Sequence, residues 1–520
     1  MESRVIIIGA GLAGMMATYA AQAEGAEVLL IDKGPLGLGT NTAMANGVFA
    51  CPTTGYGKES YVEDTIQVGR RLNAVEYVNR IAREAPQAMN LLRTLGLDLK
   101  EGKGQFYVAL PQADVVPGRI LVKTLAQRIL ALKKIKVLRN FYVTELLREE
   151  RLTGVKGFDE AGKEIVFSAP AVILATGGAG AIYLRNDNQK SIMGQGYALA
   201  ARAGLSLWDM EFVQFYPLVL NEPRLPSMLV FPPYPDELKL INATGEDLLR
   251  KWQVDNINKA AMTKRDEFSV LLYEEGQKAP VYLDCRHLSE ATRKKQMSAL
   301  FKKVRFDFEN KPVAISPAVH FFMGGLRVDD RGQTDLPGVF ACGEIVWGLH
   351  GANRRGGNAL TECAVMGNVT GKNGALWALS HSGAGTFKTE PSLAGNSGEF
   401  PAGGRLRELR LKLRETAWQF AGIKRSASGI QKGLEETGEL RLQAEGVAPQ
   451  SVEERRQKED LLAAILVTRA ILTASQGREE SRGSFIRQEF PQEDDRQWLK
   501  NSCLTLDDSG TGFSLSHKDV

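Results

Sequence analysis

Residues 4–14 read R-V-I-I-I-G-A-G-L-A-G, an apolar run followed by three glycines at G-x-G-x-x-G spacing. The apolar run predicts a buried parallel strand, and the Ala- and Met-rich residues after Gly14 predict a helix to about Glu24. Residues 27–31 predict the next strand, which ends at Asp32. The stretch therefore predicts a βαβ unit that binds a dinucleotide.

The glycines and the acid have separate physical roles in such a turn. Gly9 permits the tight turn, Gly11 lets the backbone approach a pyrophosphate, and Gly14 lets the helix pack closely on the strand. The helix N-terminus offers unpaired N–H groups and a partial positive charge to the phosphates. Asp32 can accept hydrogen bonds from a ribose 2′-hydroxyl and would repel a 2′-phosphate, as suits FAD or NAD.

The composition indicates a globular chain with more than one domain. Its 520 residues are 43% hydrophobic and 24% charged, and they exceed what one hydrophobic core organises. The net charge of +4 gives no reason to expect a nucleic acid or an anionic membrane as partner. The five cysteines lie far apart, so we expect reduced thiols and no metal site, and any iron–sulfur cluster in the electron path belongs to another chain.

The uncharged run from Val5 to Ala23 is long enough to suggest a membrane span. The glycines in its middle and the strand-like run after it favour a buried strand, turn and helix instead. No basic segment precedes a short apolar one, so we expect no signal peptide and a cytoplasmic location.

The rest of the chain contains strand-and-glycine segments that are interrupted by a proline-containing stretch. Residues 136–169 predict a β-meander, 171–178 a second buried strand that ends in a glycine pair, and 194–204 a helix. A proline-containing stretch over 221–308 predicts an inserted domain, after which strand-and-glycine segments return.

Beyond a Gly- and Ser-rich stretch, residues 406–440 and 451–473 have helical periodicity.

Nine segments together resemble one family. They are I-I-G-A-G-L-A-G (7–14), A-T-G-G-A-G (175–180), G-Q-G-Y-A-L-A-A-R-A-G (194–204), D-M-E-F-V-Q-F-Y-P (209–217), T-K-R-D (263–266), H-F-F-M-G-G-L (320–326), C-G-E (342–344), H-G-A-N-R-R-G-G-N-A-L (350–360) and E-S-R-G (480–483). In this order they resemble the flavoprotein subunits of succinate dehydrogenase and fumarate reductase, in the FAD-dependent oxidoreductase 2 superfamily, with L-aspartate oxidase as a close relative.

The resemblance implies an α/β fold with a Rossmann-type FAD-binding domain, an inserted α+β capping domain and a C-terminal helical domain. Substrate would react at flavin N5 between the first two. The expected limits are 1–220 and 319–382 for the FAD-binding domain, 221–318 for the capping domain, 383–404 for a linker and 405–520 for the helical domain. We expect the tail from about Asp507 to be frayed.

The resemblance also implies FAD contacts at matching positions. Thr176 and Gly177 match a contact near the adenosine, and Glu344 matches the acid that holds the ribityl or ribose region. Main-chain N–H groups of residues 358–360 would reach the isoalloxazine and stabilise the negative charge of reduced flavin. The full expected set is Gly9, Gly11, Leu12, Ala13, Gly14, Asp32, Lys33, Thr40, Asn41, Thr42, Ala45, Asn46, Gly47, Val143, Thr176, Gly177, Gly178, Glu344, Arg354, Gly357, Asn358, Ala359 and Leu360.

The FAD is expected to be noncovalent. In many membrane-complex relatives a histidine within S-H-T-x-A-x-x-G bonds FAD covalently. Here residues 40–47 read T-N-T-A-M-A-N-G, and Asn41 occupies the histidine's position. An amide cannot form that bond, so the resemblance is to aspartate oxidase at this point.

Reducing a C=C bond beside a carboxylate needs a hydride, a proton on the other face, and positive charge that holds the carboxylate. Arg265 matches the family's proton-delivering arginine, although an arginine serves as an acid only where geometry and neighbouring charge help. Arg354 matches the arginine that clamps a substrate carboxylate, and His320 matches the histidine that hydrogen-bonds it.

Two departures from the family bear on the substrate. Tyr216 stands in Q-F-Y-P-L where a second substrate-binding histidine is usual, which makes it the fourth candidate catalytic residue. The family's T-E-x-x-R-G-E-G-G segment is absent, and V-F-P-P-Y-P-D stands there at 230–236. A second carboxylate facing Leu218, Val230 and Phe231 would be desolvated without compensation. We therefore expect an enoate, or its saturated partner, with an apolar or bulkier other end rather than fumarate, succinate or aspartate.

Three interpretations stay open at this point. The chain is an oxidoreductase acting on the CH–CH bond of a carboxylic acid, an amine oxidase of the aspartate oxidase kind, or an FAD-binding electron-transfer subunit without turnover of its own. The expected partners are a small carboxylate and a separate electron carrier, either an iron–sulfur protein or another flavoprotein. Such a partner would also account for peripheral association with the inner face of a membrane.

Overall fold

The computed structural model of the chain describes residues 4–110, 115–292, 304–381, 387–389 and 402–520. The strands are β1 (Arg4–Ile8), β2 (Glu27–Asp32), β3 (Val48–Ala50), β4 (Leu99–Gly102), β5 (Gln105–Val108), β6 (Ile135–Arg139), β7 (Tyr142–Arg148), β8 (Leu152–Phe158), β9 (Glu164–Ser168), β10 (Ala171–Leu174), β11 (Leu207–Trp208), β12 (Val213–Leu220), β13 (Lys239–Ile241), β14 (Val281–Asp284), β15 (Val313–Phe322), β16 (Gly325–Leu326), β17 (Val339–Ala341), β18 (Phe387–Thr389), β19 (Lys424–Arg425), β20 (Ile486–Arg487), β21 (Lys500–Leu506) and β22 (Phe513–Asp519). The helices are α1 (Leu12–Ala23), α2 (Asn41–Met44), α3 (Lys58–Val68), α4 (Val75–Thr94), α5 (Pro117–Leu130), α6 (Gln195–Arg202), α7 (Leu248–Lys251), α8 (Ile257–Thr263), α9 (Arg265–Lys278), α10 (Asn358–Ser380), α11 (Ala402–Phe420), α12 (Ala427–Glu445), α13 (Val452–Gly477) and α14 (Asp495–Trp498).

A parallel five-stranded sheet in the order β17–β10–β1–β2–β6 forms the first layer. Its central strand β1 is flanked on both sides, with Ile7 opposite Ile173 of β10 and Leu30 of β2. Helices α1 and α10 pack together beside this sheet. Strand, turn, helix and strand follow one another as the opening residues predict, and the α/β fold class is confirmed.

The turn from β1 into α1 needs glycine at two positions. Gly9 has a φ of +105°, which only glycine adopts readily. A Cβ on Gly14 would lie 1.9 Å from the Gly9 carbonyl oxygen, so any side chain there would force the helix off the strand. The helix therefore starts with its N-terminus directly above the end of β1.

The predicted β-meander is correct for three of its strands. β7, β8 and β9 pair antiparallel in sequence order, and β18 extends the sheet. β6, which opens the predicted segment, instead joins the parallel sheet beside β2. None of the helices in the described part of the chain is long and apolar enough to cross a membrane.

A second apolar core surrounds the antiparallel sheet β12–β15–β14–β13. Helices α8 and α9 pack against it, with Phe268 and Leu272 of α9 among its members. β12 and β15 contribute residues to both cores, so they carry Tyr216 and His320 to the junction between them. The expected capping-domain limits, 221 and 318, fall at the end of β12 and inside β15, and this division stays a prediction.

The C-terminal part contains helices α11, α12 and α13 and also a β-hairpin. β21 pairs antiparallel with β22 and, on its other edge, with β11. The expectation of a frayed tail from Asp507 is therefore wrong, since Phe513–Asp519 completes this hairpin. The expected linker at 383–404 lies outside the described residues except for 387–389 and 402–404.

Candidate active site

A cavity opens where the parallel strands end, the usual place for a ligand in such a sheet. The predicted FAD-binding residues that line it are Gly9, Gly11, Leu12, Ala13, Asp32, Lys33, Thr40, Asn41, Thr42, Val143, Thr176, Gly177, Gly178 and Glu344. Lining residues that were not among the expected FAD contacts include Phe141, Ser191, Met193, Gln195, Cys342 and Cys363. The carboxyl ends of β1, β2, β10 and β17 thus all contribute residues to one cavity.

The remaining predicted FAD residues lie outside the lining of this cavity. They are Gly14, Ala45, Asn46, Gly47, Arg354, Gly357, Asn358, Ala359 and Leu360. The Asn358 side chain accepts a hydrogen bond from the Tyr61 hydroxyl (2.9 Å) and donates one to Thr65 Oγ1 (3.3 Å). That side chain therefore anchors the start of α10 to α3.

The polar groups of the cavity fit the ADP part of FAD. Asp32 accepts hydrogen bonds from the N–H groups of Gly34 (3.3 Å) and Gly37 (3.1 Å), which hold its carboxylate at the end of β2. Gly11 precedes the first turn of α1, where Leu12 N donates to Thr42 Oγ1 (3.1 Å). Thr176 Oγ1 is buried and has no hydrogen-bond partner within the described residues. A helix N-terminus, a fixed acid and an orphaned hydroxyl suit phosphates and a ribose.

Glu344 is a buried acid at the other side of the same cavity. Its Oε1 accepts a hydrogen bond from Phe322 N (3.2 Å). Burial raises the pKa of Glu344 to about 7, and the Asn41 amide is among the groups whose hydrogen bonds oppose this rise. The carboxyl is therefore held in place by neutral donors.

Arg354 is a buried guanidinium at the start of the second candidate cluster. Its Nε donates to Gln214 Oε1 (3.1 Å), and its charge lies 4.6 Å from the ring centroid of Phe321. Gln214 is itself fixed by donating to Asn353 Oδ1 (2.8 Å) and to the Arg354 carbonyl (2.9 Å). Burial, then the charge of Arg265, lowers the pKa of Arg354 to about 9.

Arg265, the first residue of α9, is also buried. Its guanidinium lies 5.0 Å from the ring centroid of Tyr216, and its Nε donates to the Ala261 carbonyl (3.3 Å). Burial lowers the pKa of Arg265. The Tyr216 hydroxyl lies 3.2 Å from the hydroxyl of Tyr234, which donates to the Val230 carbonyl (2.7 Å).

His320 completes the cluster from β15. Its ring centroid lies 5.6 Å from that of Tyr216, and its Nδ1 lies 2.7 Å from Asp187 Oδ2. The fold thus brings together all four residues that the sequence singled out for catalysis, with Tyr216 between Arg265 and His320. Their chemical roles stay predictions.

Leu218, Val230 and Phe231 were expected to form an apolar wall at the far end of the substrate, and the structure confirms burial for two of the three. Leu218 and Val230 are buried in the second core, where Val230 N donates to the Leu218 carbonyl (2.8 Å). Phe231 is 42% exposed and does not join them. The buried polar groups on this side are the hydroxyls of Tyr216 and Tyr234.

Asp187, Gln214 and Tyr234 hold the predicted residues and were not identified from the sequence. Gln214 lies inside the quoted 209–217 segment and Tyr234 inside the quoted 230–236 segment, but neither was assigned a role from the sequence. Asp187 and Tyr234 lie in irregular loops, and only the fold brings them to His320 and Tyr216.

A Rossmann-type sheet with an acid ending β2, beside a cavity lined by glycine-rich turns, is typical of a dinucleotide-dependent oxidoreductase. Comparison with known proteins specifies it further. The FAD binding domain family matches residues 4–360, and the fumarate reductase flavoprotein C-terminal family matches residues 410–520. The chain belongs to the succinate dehydrogenase and fumarate reductase flavoprotein family, and it is a flavin-dependent oxidoreductase whose cofactor is FAD.

Full-length relatives support the assignment. The chain is 29% identical to one of the subunits of the fumarate reductase (CoM/CoB) of Methanothermobacter marburgensis, over 97% of each chain. It is 30% identical to an L-aspartate oxidase of Agrobacterium fabrum, over 96% of this chain and 93% of that one. FrdA of the quinol fumarate reductase of Escherichia coli superposes with a TM-score of 0.87 at 25% identity, over 100% of this chain and 97% of FrdA.

FAD is expected to leave the polypeptide on denaturation. Asn41 has no nucleophilic atom, and its amide is bonded to Asn188 and Gln189. Burial raises the pKa of the Cys342 and Cys363 thiols, so neither provides a thiolate to the cavity. After precipitation in acid, the yellow colour should remain in the supernatant. Flavin that stays on the pellet through a denaturing gel would contradict this prediction.

Proposed function

We propose that this enzyme transfers two electrons to the C=C bond of a 2-enoate, or removes them from the corresponding saturated carboxylic acid. One observation carries the proposal. Arg265 and Arg354 are both buried, and within the part of the chain that the structure describes no carboxylate lies at ion-pair distance from either. Burying an unpaired cation costs several kcal/mol, so such a site is built to receive an anion.

The chain's own groups can serve each polar requirement of that reaction. Arg354, held by Gln214, would present its remaining N–H groups to a carboxylate. His320 would offer a second contact to it, and the Arg265–Tyr216 pair, 5.0 Å from guanidinium to ring centroid, would supply the proton. Bound FAD would supply the hydride chemistry at its N5 atom.

The Tyr216–Tyr234 hydroxyl pair supports a substrate with one carboxylate. These phenols are neutral, and Tyr216 stands where relatives carry a histidine that binds the second carboxylate. We therefore infer that the far end of the substrate is uncharged, as in a simple 2-enoate.

Crotonate is expected to reoxidise the photoreduced enzyme faster than fumarate does, because the second carboxylate of fumarate would be desolvated beside two phenols. The measurement is the rate of return of the oxidised flavin spectrum under anaerobic conditions. Tyr216→His should move the ratio of the two rates towards fumarate. Faster reoxidation by fumarate than by every 2-enoate tried would sink this substrate assignment.

The electrons are proposed to come from a separate carrier protein. Two of the relatives named above are a fumarate reductase (CoM/CoB) subunit and the FrdA chain of a quinol fumarate reductase. Over the described ranges, no group of three His, Cys, Asp or Glu side chains could hold a metal ion. A partner with an iron–sulfur cluster or a second flavin would fill this role.

A second candidate is amine oxidation, which the L-aspartate oxidase relative at 30% identity favours. It predicts release of ammonia and hydrogen peroxide from an amino acid in air. Peroxide formation from aspartate at a rate above that of crotonate reduction would favour it over the first proposal.

A further inference from the structure

A continuous chain of hydrogen bonds joins the cofactor cavity to the candidate substrate histidine. It begins at Asn41, which lines that cavity together with Glu344. Asn41 Nδ2 donates to Asn188 Oδ1 (2.6 Å), and Asn188 Nδ2 donates to Asp187 Oδ1 (3.2 Å). Asp187 Oδ2 lies 2.7 Å from His320 Nδ1. Every link is a contact between side chains, and together the links connect α2, the 186–189 loop and β15.

We propose that Asn41, Asn188 and Asp187 are positioning residues that fix the His320 imidazole for a substrate carboxylate and tie its position to the cofactor side of the site. This inference rests on the proposed carboxylate site. It gives Asn41 a function at the position where many relatives carry the histidine that bonds FAD.

The contacts of Asp187 fix the His320 ring in two ways. One carboxylate oxygen takes Nδ1, so Nε2 is the nitrogen left for a ligand. The other oxygen is held by Asn188, and Asp187 N also donates to the Val319 carbonyl (3.2 Å). The Asp187 side chain is 8% exposed and that of His320 is 27% exposed, so the anchor is buried and the ring has an open side.

Asn188 locks the same segment to β15 and to α2. Its Nδ2 also lies near the carbonyls of Val319 (3.2 Å) and His320 (3.3 Å), which are adjacent on β15. Its Oδ1 is occupied by Asn41. A displacement of α2 would therefore shift Asn188 and, through it, the strand that carries His320.

An amide at position 41 suits this link because it offers a donor and an acceptor at once. Its Nδ2 serves Asn188, and its Oδ1 accepts from Gln189 N (3.0 Å). The two bonds hold α2 against the 186–189 loop from both sides. Asn41 also lines the cofactor cavity, so it is the residue at which the two halves of the site meet.

The test measures binding of crotonate to the oxidised, FAD-loaded enzyme from the change in flavin absorbance, with FAD content determined for each variant. Asp187→Ala is expected to raise the Kd about 10- to 100-fold, the range seen when a metal-binding histidine loses the carboxylate that orients it. Asn188→Ala and Asn41→Ala should raise it about 3- to 10-fold. Asp187→Asn keeps an acceptor for Nδ1–H and should retain most of the affinity.

A double variant distinguishes a connected chain from separate structural effects. If Asn41 acts through Asp187, then adding Asn41→Ala to the Asp187→Ala variant should raise the Kd for crotonate by less than about a further twofold. Ser316→Ala is the matched control. It removes the hydrogen bond that Arg185 Nη1 donates to Ser316 (2.6 Å), which also joins β15 to the chain just before the 186–189 loop. The Kd for crotonate should stay unchanged in this variant. The proposal would be overturned if the affinity losses of Asn41→Ala and Asp187→Ala were additive or if Ser316→Ala lost as much affinity as they do. An unchanged Kd in Asp187→Ala would also overturn it.

A readout without substrate completes the design. In ¹⁵N-histidine-labelled holoenzyme, the resonances of His320, assigned by their loss in His320→Gln, should shift in Asn41→Ala and should not shift in Ser316→Ala. Unmoved resonances in Asn41→Ala would refute the chain. Crotonate that binds but never reoxidises the photoreduced enzyme would refute the proposed function alone, and absence of binding to the unmodified enzyme would refute both.

Discussion

Replacing Arg265 by glutamine is expected to slow reoxidation of the photoreduced enzyme by crotonate at least about a hundredfold, with FAD still bound. Losing one preorganised charge at a reacting centre costs about 10²–10³ in rate. The guanidinium lies over the Tyr216 ring, and within the described ranges it has no carboxylate partner that would make it a structural ion pair. Stopped-flow spectroscopy of the flavin gives the rate.

The neighbouring lysine provides a matched control for this charge. Lys264 caps the same helix, its side chain is 63% exposed, and its ion pair is with exposed Glu267 at 3.6 Å. Lys264→Gln therefore removes one positive charge next to Arg265 without entering the buried cluster, and the rate should stay within about twofold because an exposed pair is worth little. Loss of FAD or of soluble protein in Arg265→Gln would assign Arg265 a structural role instead.

The parts of the fold that local sequence dictates were predictable. The run of β-branched residues before Gly9 and the acid at Asp32 fixed the first βαβ unit, because a tight turn under a helix N-terminus admits little but glycine. The family-like segments placed Arg265, Arg354, His320 and Tyr216 near one another, and the structure brings them together.

The parts that depend on long-range pairing were missed. Asp187 meets His320 and Tyr234 meets Tyr216 only because the fold closes loops that carry no motif. Residues 513–516 (F-S-L-S) alternate apolar and polar residues, but the polar H-K-D that follows gave no sign of a strand. The pairing with β21 is what orders this segment. Phe231 was expected on a buried wall and is exposed, since a single apolar residue carries no information about the face it occupies.

Arg478 is the residue whose loss should cost the fold most. Its guanidinium is fully buried and donates to Glu211 Oε1 (2.7 Å), Glu480 Oε1 (2.9 Å) and the carbonyls of Trp498 (3.0 Å) and Lys500 (2.6 Å). It therefore ties the end of α13 to the start of β21 and to the loop before β12.

Arg478→Met is expected to lower the free energy of unfolding by about 3–5 kcal/mol, because it leaves buried carboxylates without their cation. Glu480 keeps Arg482, but Glu211 keeps only the Ser502 hydroxyl (2.7 Å), and its Oε2 has no hydrogen-bond partner within the described residues. Urea unfolding, followed by circular dichroism at saturating FAD, measures the change.

Arg441→Met isolates the effect of burial in this comparison. Arg441 pairs with Glu445 at 2.6 Å on the surface of α12, so removing it deletes an equally short ion pair between partly exposed side chains. The expected loss of unfolding free energy is under about 1 kcal/mol, since water solvates the exposed Glu445 carboxylate that remains. Equal losses in the two variants would show that desolvation of Glu211 is not what makes Arg478 necessary. A larger loss for Arg478→Met that the second substitution Glu211→Gln partly restores would identify the stranded carboxylate as the cause.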